Sequence, residues 1–143
     1  METGIRISVI YTEEYLLQLR VAASNGFFAG RAEVYGHHSD PSDFASALRG
    51  FPSRADDVRE FELGPMSIDS AAVGAKFRFY CVDPVGHSLA EVTLRHDPYR
   101  PGGSFDSAVF SIPVESSAVD MFVDQLKQMS PSVGQSAWLA AAA

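Results

Sequence analysis

Ala75-Lys76-Phe77-Arg78-Phe79-Tyr80-Cys81 decides the fold class, because Ala75, Phe77, Phe79 and Cys81 alternate strictly with Lys76, Arg78 and Tyr80. A period of two is that of a strand with one face buried and the other in water. Asp83-Pro84-Val85-Gly86 follows, with acid, proline and glycine where a type I turn places them, so residues 75–82 and 88–95 read as the two arms of a hairpin. The same alternation recurs outward from this hairpin. Ile5, Ile7, Val9 and Tyr11 share one parity, the turn Thr12-Glu13-Glu14 leads into Tyr15 to Ala22, and Phe28, Gly30, Ala32 and Val34 mark a third strand. Arg59 to Leu63 places Phe61 and Leu63 inward, and Ala108, Phe110, Ile112 and Val114 form a last strand. Residues 66–73 are small and carry no pattern.

Two segments change the period to that of a helix. Asp40-Pro41-Ser42-Asp43 offers an N-cap acceptor, a proline at the first helical position and a second acid, and Phe44, Ala47, Leu48 and Phe51 follow at helical spacing. Ser117 and Asp120 make a capping-box pattern before the stripe Val119, Phe122, Val123, Leu126 and Met129. The expected architecture is α+β: one curved, mostly antiparallel sheet of about seven strands, with helices near 41–50 and 117–129 packed on its apolar face. Gly30 and Ala32 leave room on that face for a bend or a close helix. Residues 1–131 read as a single domain, and 132–143 as a tail, partly disordered or docked through Trp138.

Composition limits the function classes. The 143 residues are 46% hydrophobic and 20% charged, values of a domain that folds on its own core. With 18 carboxylates against 11 Lys and Arg, the formal charge of -7 speaks against nucleic acid and anionic membranes as partners. No apolar run reaches the roughly 20 residues of a membrane span and the start lacks the form of a signal peptide, so a cytoplasmic protein is expected. Cys81 is the only cysteine, falls on an apolar face and reads as a small hydrophobe.

Neither cluster of chemistry-bearing side chains makes a convincing reaction centre. His37-His38 with Asp40 has metal-ligand residue types, but adjacent residues on an extended strand point to opposite faces and Asp40 is needed as a cap. Cys81, Asp83 and His87 would supply a nucleophile, an orienter and a base, yet parity turns Cys81 inward and the turn uses Asp83. His96-Asp97 reads as a strand end. No phosphate loop, nucleophile elbow or paired zinc cysteines occur. Neither a catalytic residue, a metal nor a cofactor is expected. The candidate site is instead a polar sheet face carrying Tyr80, Arg78, Glu91, Arg95, Arg31 and Glu33, because Tyr and Arg are the types enriched where proteins bind one another. An ordinary solvated face held by cross-strand charge pairs explains the same pattern.

The order of elements, with Gly26-Phe27-Phe28-Ala29-Gly30, Asp40-Pro41-Ser42-Asp43-Phe44 and Phe77-Arg78-Phe79-Tyr80-Cys81-Val82-Asp83 through Gly86-His87, resembles a family of small uncharacterised bacterial proteins related to WapI-type immunity proteins. That resemblance, over about residues 5–129, implies a stand-alone cytosolic bacterial domain that neutralises a toxin domain by binding it. A non-enzymatic binding protein acting by occlusion is therefore the expected function. The alternative is a small-molecule binder or minor enzyme with a pocket between the sheet and the C-terminal helix. A homodimer through a sheet edge or the Trp138 tail is a further expectation.

Overall fold

The computed structural model describes residues 2–65 and 73–143, so all but the last residue of the patternless stretch 66–73 lie outside it. Eight strands and two helices follow in the order β1 (Gly4–Glu13), β2 (Leu16–Ser24), β3 (Ala29–Gly36), α1 (Asp40–Leu48), β4 (Val58–Leu63), β5 (Gly74–Cys81), β6 (Ser88–His96), β7 (Asp106–Val114), α2 (Ser116–Gln128) and β8 (Ser136–Ala140). The fold is α+β, but the strands form two four-stranded antiparallel sheets rather than one curved sheet of seven. The first sheet has the order β3-β2-β1-β8 and the second β4-β5-β6-β7. Strand parity tells each residue which way to point and is silent on which strands pair, so a single continuous sheet and two packed sheets leave the same alternation in the sequence.

The alternating residues fill a common interior. Ile5, Ile7, Val9, Leu17, Leu19 and Val21 from the first sheet and Ala75, Phe77, Phe79, Ala90 and Val92 from the second are all buried. Tyr11 shares their parity in the sequence but is 44% exposed, because the β1–β2 register shifts between Val9 and Tyr11. That bulge turns the strand over. The small residue at Gly30 serves the approach of the other sheet rather than of a helix: a Cβ there would lie 3.0 Å from Leu94 Cδ1 on β6.

Phe44 of α1 packs on the second sheet, stacked on Phe61 at 4.6 Å and tilted against Phe77 at 4.9 Å, and meets Phe122 of α2 edge-on at 5.6 Å. Each helix also caps differently from the expected pattern. Ser39 is the N-cap of α1 without a side-chain bond, since the Asp40 carboxylate accepts the His37 N–H at 3.0 Å instead. Glu115 precedes α2, and Ser117 and Asp120 make no cap. At the other end of α1, Arg59 shares the inward parity of Phe61 and donates to the carbonyls of Ala47 at 3.2 Å and Arg49 at 2.9 Å. Its charge is held by Asp57, buried and bonded to Arg59 Nε at 2.8 Å and Nη2 at 2.9 Å, with Ser53 N donating to the same carboxylate at 2.8 Å. The Arg59 bond above all holds the Asp57 carboxyl far below the usual carboxylate range.

The tail carries β8, which pairs with β1 from Gly4↔Ala140 to Ser8↔Ser136. Ala137 and Leu139 are its buried anchors, while Trp138 stays half-buried on the outer face. The free edge of β8 is met by α2, whose Gln125 Oε1 accepts the Trp138 N–H at 2.8 Å. Edge strand β7 is likewise engaged: the Ser111 carbonyl accepts Asn25 Nδ2 at 3.1 Å and the Pro113 carbonyl accepts the Ala142 N–H at 2.8 Å. Occupied edges of this kind discourage chance strand pairing.

Candidate functional site

With the interior filled and both helices packed inward, the polar faces of the two sheets are the surfaces left for a partner. On the second sheet the register sets Glu60, Arg78, Glu91 and Ser111 in one row and Val58, Tyr80, Leu89 and Pro113 in the next. Tyr80, Arg78, Glu91 and Arg95 therefore do share a face, while Arg31 and Glu33 belong to β3 in the other sheet. The six-residue patch is divided because alternation cannot say which sheet a strand joins. Arg78 lies between two carboxylate positions, 3.6 Å from Glu60, with its guanidinium 4.5 Å above the Tyr80 ring. Glu60, Glu62 and Glu91 balance Lys76, Arg78 and Arg95, so this wall neutralises itself.

The first sheet presents a different surface. One row reads Trp138, Arg6, Ala22, Arg31 and the next Ser136, Ser8, Arg20, Glu33. Arg6 sits 4.8 Å over the Trp138 ring and Arg20 donates to Glu33 at 3.0 and 3.1 Å. Three arginines thus meet one carboxylate in these two rows. Farther along, Tyr11 and Tyr35 flank Gln18. The Tyr11 hydroxyl donates to Glu13 at 2.9 Å, and that carboxylate pushes the phenol up.

Sequence reasoning passed over Arg6 and Arg20, and took Trp138 as the docking residue of the tail or a dimer contact rather than as part of a sheet face. The available signal was that Arg6 with Ser8, and Arg20 with Gln18, occupy the polar parity of strands whose apolar parity is aliphatic apart from Tyr11. Phe28, which shares the inward parity of Gly30, Ala32 and Val34 in the sequence, instead lies in the β2–β3 turn before β3 begins at Ala29 and is 67% exposed, and Phe27 beside it is 91% exposed.

The other clusters have structural employment. His38 Nε2 lies 2.8 Å from the Glu13 carbonyl and 3.2 Å from that of Leu16, so it ties the β1–β2 turn. Among the described residues no group of three His, Cys, Asp or Glu is placed to hold a metal ion. His87 Nδ1 bonds Asp83 Oδ2, and the Asp83 carboxylate also accepts the N–H groups of Val85 at 3.0 Å and His87 at 3.1 Å. These contacts, His87 first, hold the Asp83 carboxyl below its ordinary range. The Cys81 sulfur faces Ser88 Oγ at 3.7 Å and the Arg54 carbonyl at 3.9 Å rather than His87. A cleft of about 770 Å³ beside β3 is lined by Arg31, Tyr35, His96, Asp97 and Tyr99, among others. Among the described residues no helix is long and apolar enough to cross a membrane.

Comparison of the chain with protein-family models, with curated proteins and with solved structures gives no match.

Proposed function

We propose that this chain is a non-enzymatic protein-binding module, immunity-like in that it acts by covering a functional surface of its partner, and that the outer face of the first sheet makes the contact. The observation that carries this reading is the row Trp138–Arg6–Ala22–Arg31, because Arg and Trp head the residue types on which binding energy concentrates and, among the described residues, this row and the next set three arginines against the single carboxylate of Glu33. Where a ligand pocket against α2 was the alternative, Phe122 and Leu126 are fully buried and Phe122 packs on Phe44, which favours an external site. The resemblance to WapI-type immunity proteins supports a toxin domain as the partner.

The test is co-purification of the tagged chain from cells of its source organism. A stoichiometric complex is expected that is lost on Arg6→Glu with Arg20→Glu and kept on Arg78→Glu. A complex lost only with Arg78→Glu would move the contact to the second sheet, and no complex in any background would remove the binding reading. The cleft at Arg31, Tyr35, His96 and Tyr99 favours a second reading, a small-molecule binder. A ligand that raises Tm in the wild type and fails to do so in Tyr35→Ala would support it.

A further inference from the structure

The turn between β2 and β3 holds two aromatic side chains in water and is built to keep them there. Asn25 Oδ1 accepts the N–H groups of Phe27 at 3.0 Å and Phe28 at 2.8 Å, the Asn25 N–H donates to the Phe28 carbonyl at 3.0 Å, and Asn25 Nδ2 fastens the turn to Ser111 of β7. Ser24 Oγ accepts the Gly26 N–H at 3.1 Å. Phe27 and Phe28 are therefore exposed on a fixed backbone, so seating them in a partner costs little ordering entropy. Fixed aromatics of this kind are how interfaces concentrate affinity.

The turn opens two register positions beyond the pair Ala22↔Arg31, so the phenylalanines stand at the end of the sheet where Arg31, Arg6 and Trp138 form the unbalanced row. A hollow of about 160 Å³ at that row is lined by Arg6, Ala22, Trp138 and Glu2, among others. We propose that Phe27 and Phe28 are the anchor of the interface, inserting into an apolar pocket on a partner protein whose rim carries carboxylates for Arg31 and Arg6. This deepens the reading of the chain as a protein-binding module and rests on it. Rings and arginines also suit an anionic membrane, but two arginines within a chain of net charge -7 are too few to hold such a surface, whereas they match a local carboxylate rim.

The experiment places a photo-reactive benzoyl-phenylalanine at position 28, separately at 27, and separately at 80 in the full-length chain, and irradiates cells of the source organism. Expected from 27 or 28 is an adduct with one other protein, reduced about ten-fold or more in the Arg6→Glu, Arg31→Glu background, with none from 80. Because both phenylalanines are exposed, Phe27→Ser with Phe28→Ser should leave circular dichroism and Tm unchanged while abolishing the complex. Adducts from 80 alone would overturn the anchor and leave the binding module standing, and adducts from no position would remove both. An adduct with a second copy of the chain overturns the foreign partner. So does a blue shift of Trp138, the only tryptophan, on phosphatidylcholine/phosphatidylglycerol vesicles that the double serine variant loses.

Discussion

The second sheet sets Phe77 and Phe79, both buried, and the partly buried Phe61 around Phe44, whereas the first buries Ile5, Ile7, Val9, Leu17, Leu19, Val21 and Leu139. Their outer faces differ in the opposite sense. The sheet with an aromatic interior wears a charge-balanced exterior, and the sheet with an aliphatic interior wears three arginines against one glutamate in its two mapped rows. The contrast separates two uses of one residue class: rings inside the second sheet hold Phe44 of α1, which in turn meets Phe122 of α2, while outside the first sheet Trp138 lies half-buried beneath Arg6 and Tyr35 is exposed. The comparison can be broken by perturbing each surface in turn.

The largest effect should come from the aromatic interior. Phe44→Ala removes the ring that four other phenylalanines touch and should cost about 3–5 kcal/mol, against about 0.5–1.5 kcal/mol for Ile7→Val in the aliphatic half. Urea denaturation of both variants measures the gap, and equal losses would remove the distinction between the two interiors. Next comes the Asp57–Arg59 pair that closes the C-terminus of α1. Asp57→Asn leaves Arg59 without its carboxylate and should cost about 2–4 kcal/mol. The wild type should lose the same contribution in acid. The carboxyl is held far below its ordinary 3.8 in the folded state, so the stabilisation is complete above that value and drains away as pH falls toward the folded one. The gap between thermal melts of wild type and Asp57→Asn should therefore narrow steadily as pH falls from about 4 to 2, and parallel curves would refute the assignment.

A smaller effect belongs to the edge of the first sheet. Gln125→Ala leaves the Trp138 N–H without its 2.8 Å acceptor and should cost about 1 kcal/mol, read as faster amide exchange along β8. The smallest belongs to the outer walls. Arg78→Ala and Arg20→Ala each break an exposed ion pair and should change stability by less than about 1 kcal/mol. A larger loss from Arg20→Ala would mean that the first sheet's exterior holds the fold together instead of waiting for a partner.

Most elements were legible in the sequence because alternation and helical spacing are local. The Asp83–Gly86 hairpin, the β1-β2-β3 meander and the stripes of α1 and α2 lie within one or two residues of where the pattern placed them. What escaped needed distant partners. Ser136-Ala137-Trp138-Leu139-Ala140 reads as a weak tail until β1, more than a hundred residues earlier, offers it an edge. Arg59 has the parity of a core residue and the chemistry of a surface one, and only the carbonyls at the end of α1 reconcile the two. The candidate patch was half legible for the same reason: Tyr80, Arg78, Glu91 and Arg95 follow from strands adjacent in sequence, whereas placing Arg31 and Glu33 beside Arg20 and Arg6 requires knowing that β3 stays with β2 and β1.

The pairing of β8 with β1 has a consequence for how the molecule is made. Counted from β8, the first sheet and α1 repeat the order of the second sheet and α2, four antiparallel strands in sequence and then a helix, yet the strand that opens this unit is translated after the other seven. On the ribosome the earlier half stays unfinished while the later half can already close, and β1 waits with a bare edge until residues 136–140 emerge. Vulnerability during synthesis thus falls on β1, β2 and β3, which a chaperone would have to shield until their closing strand arrives.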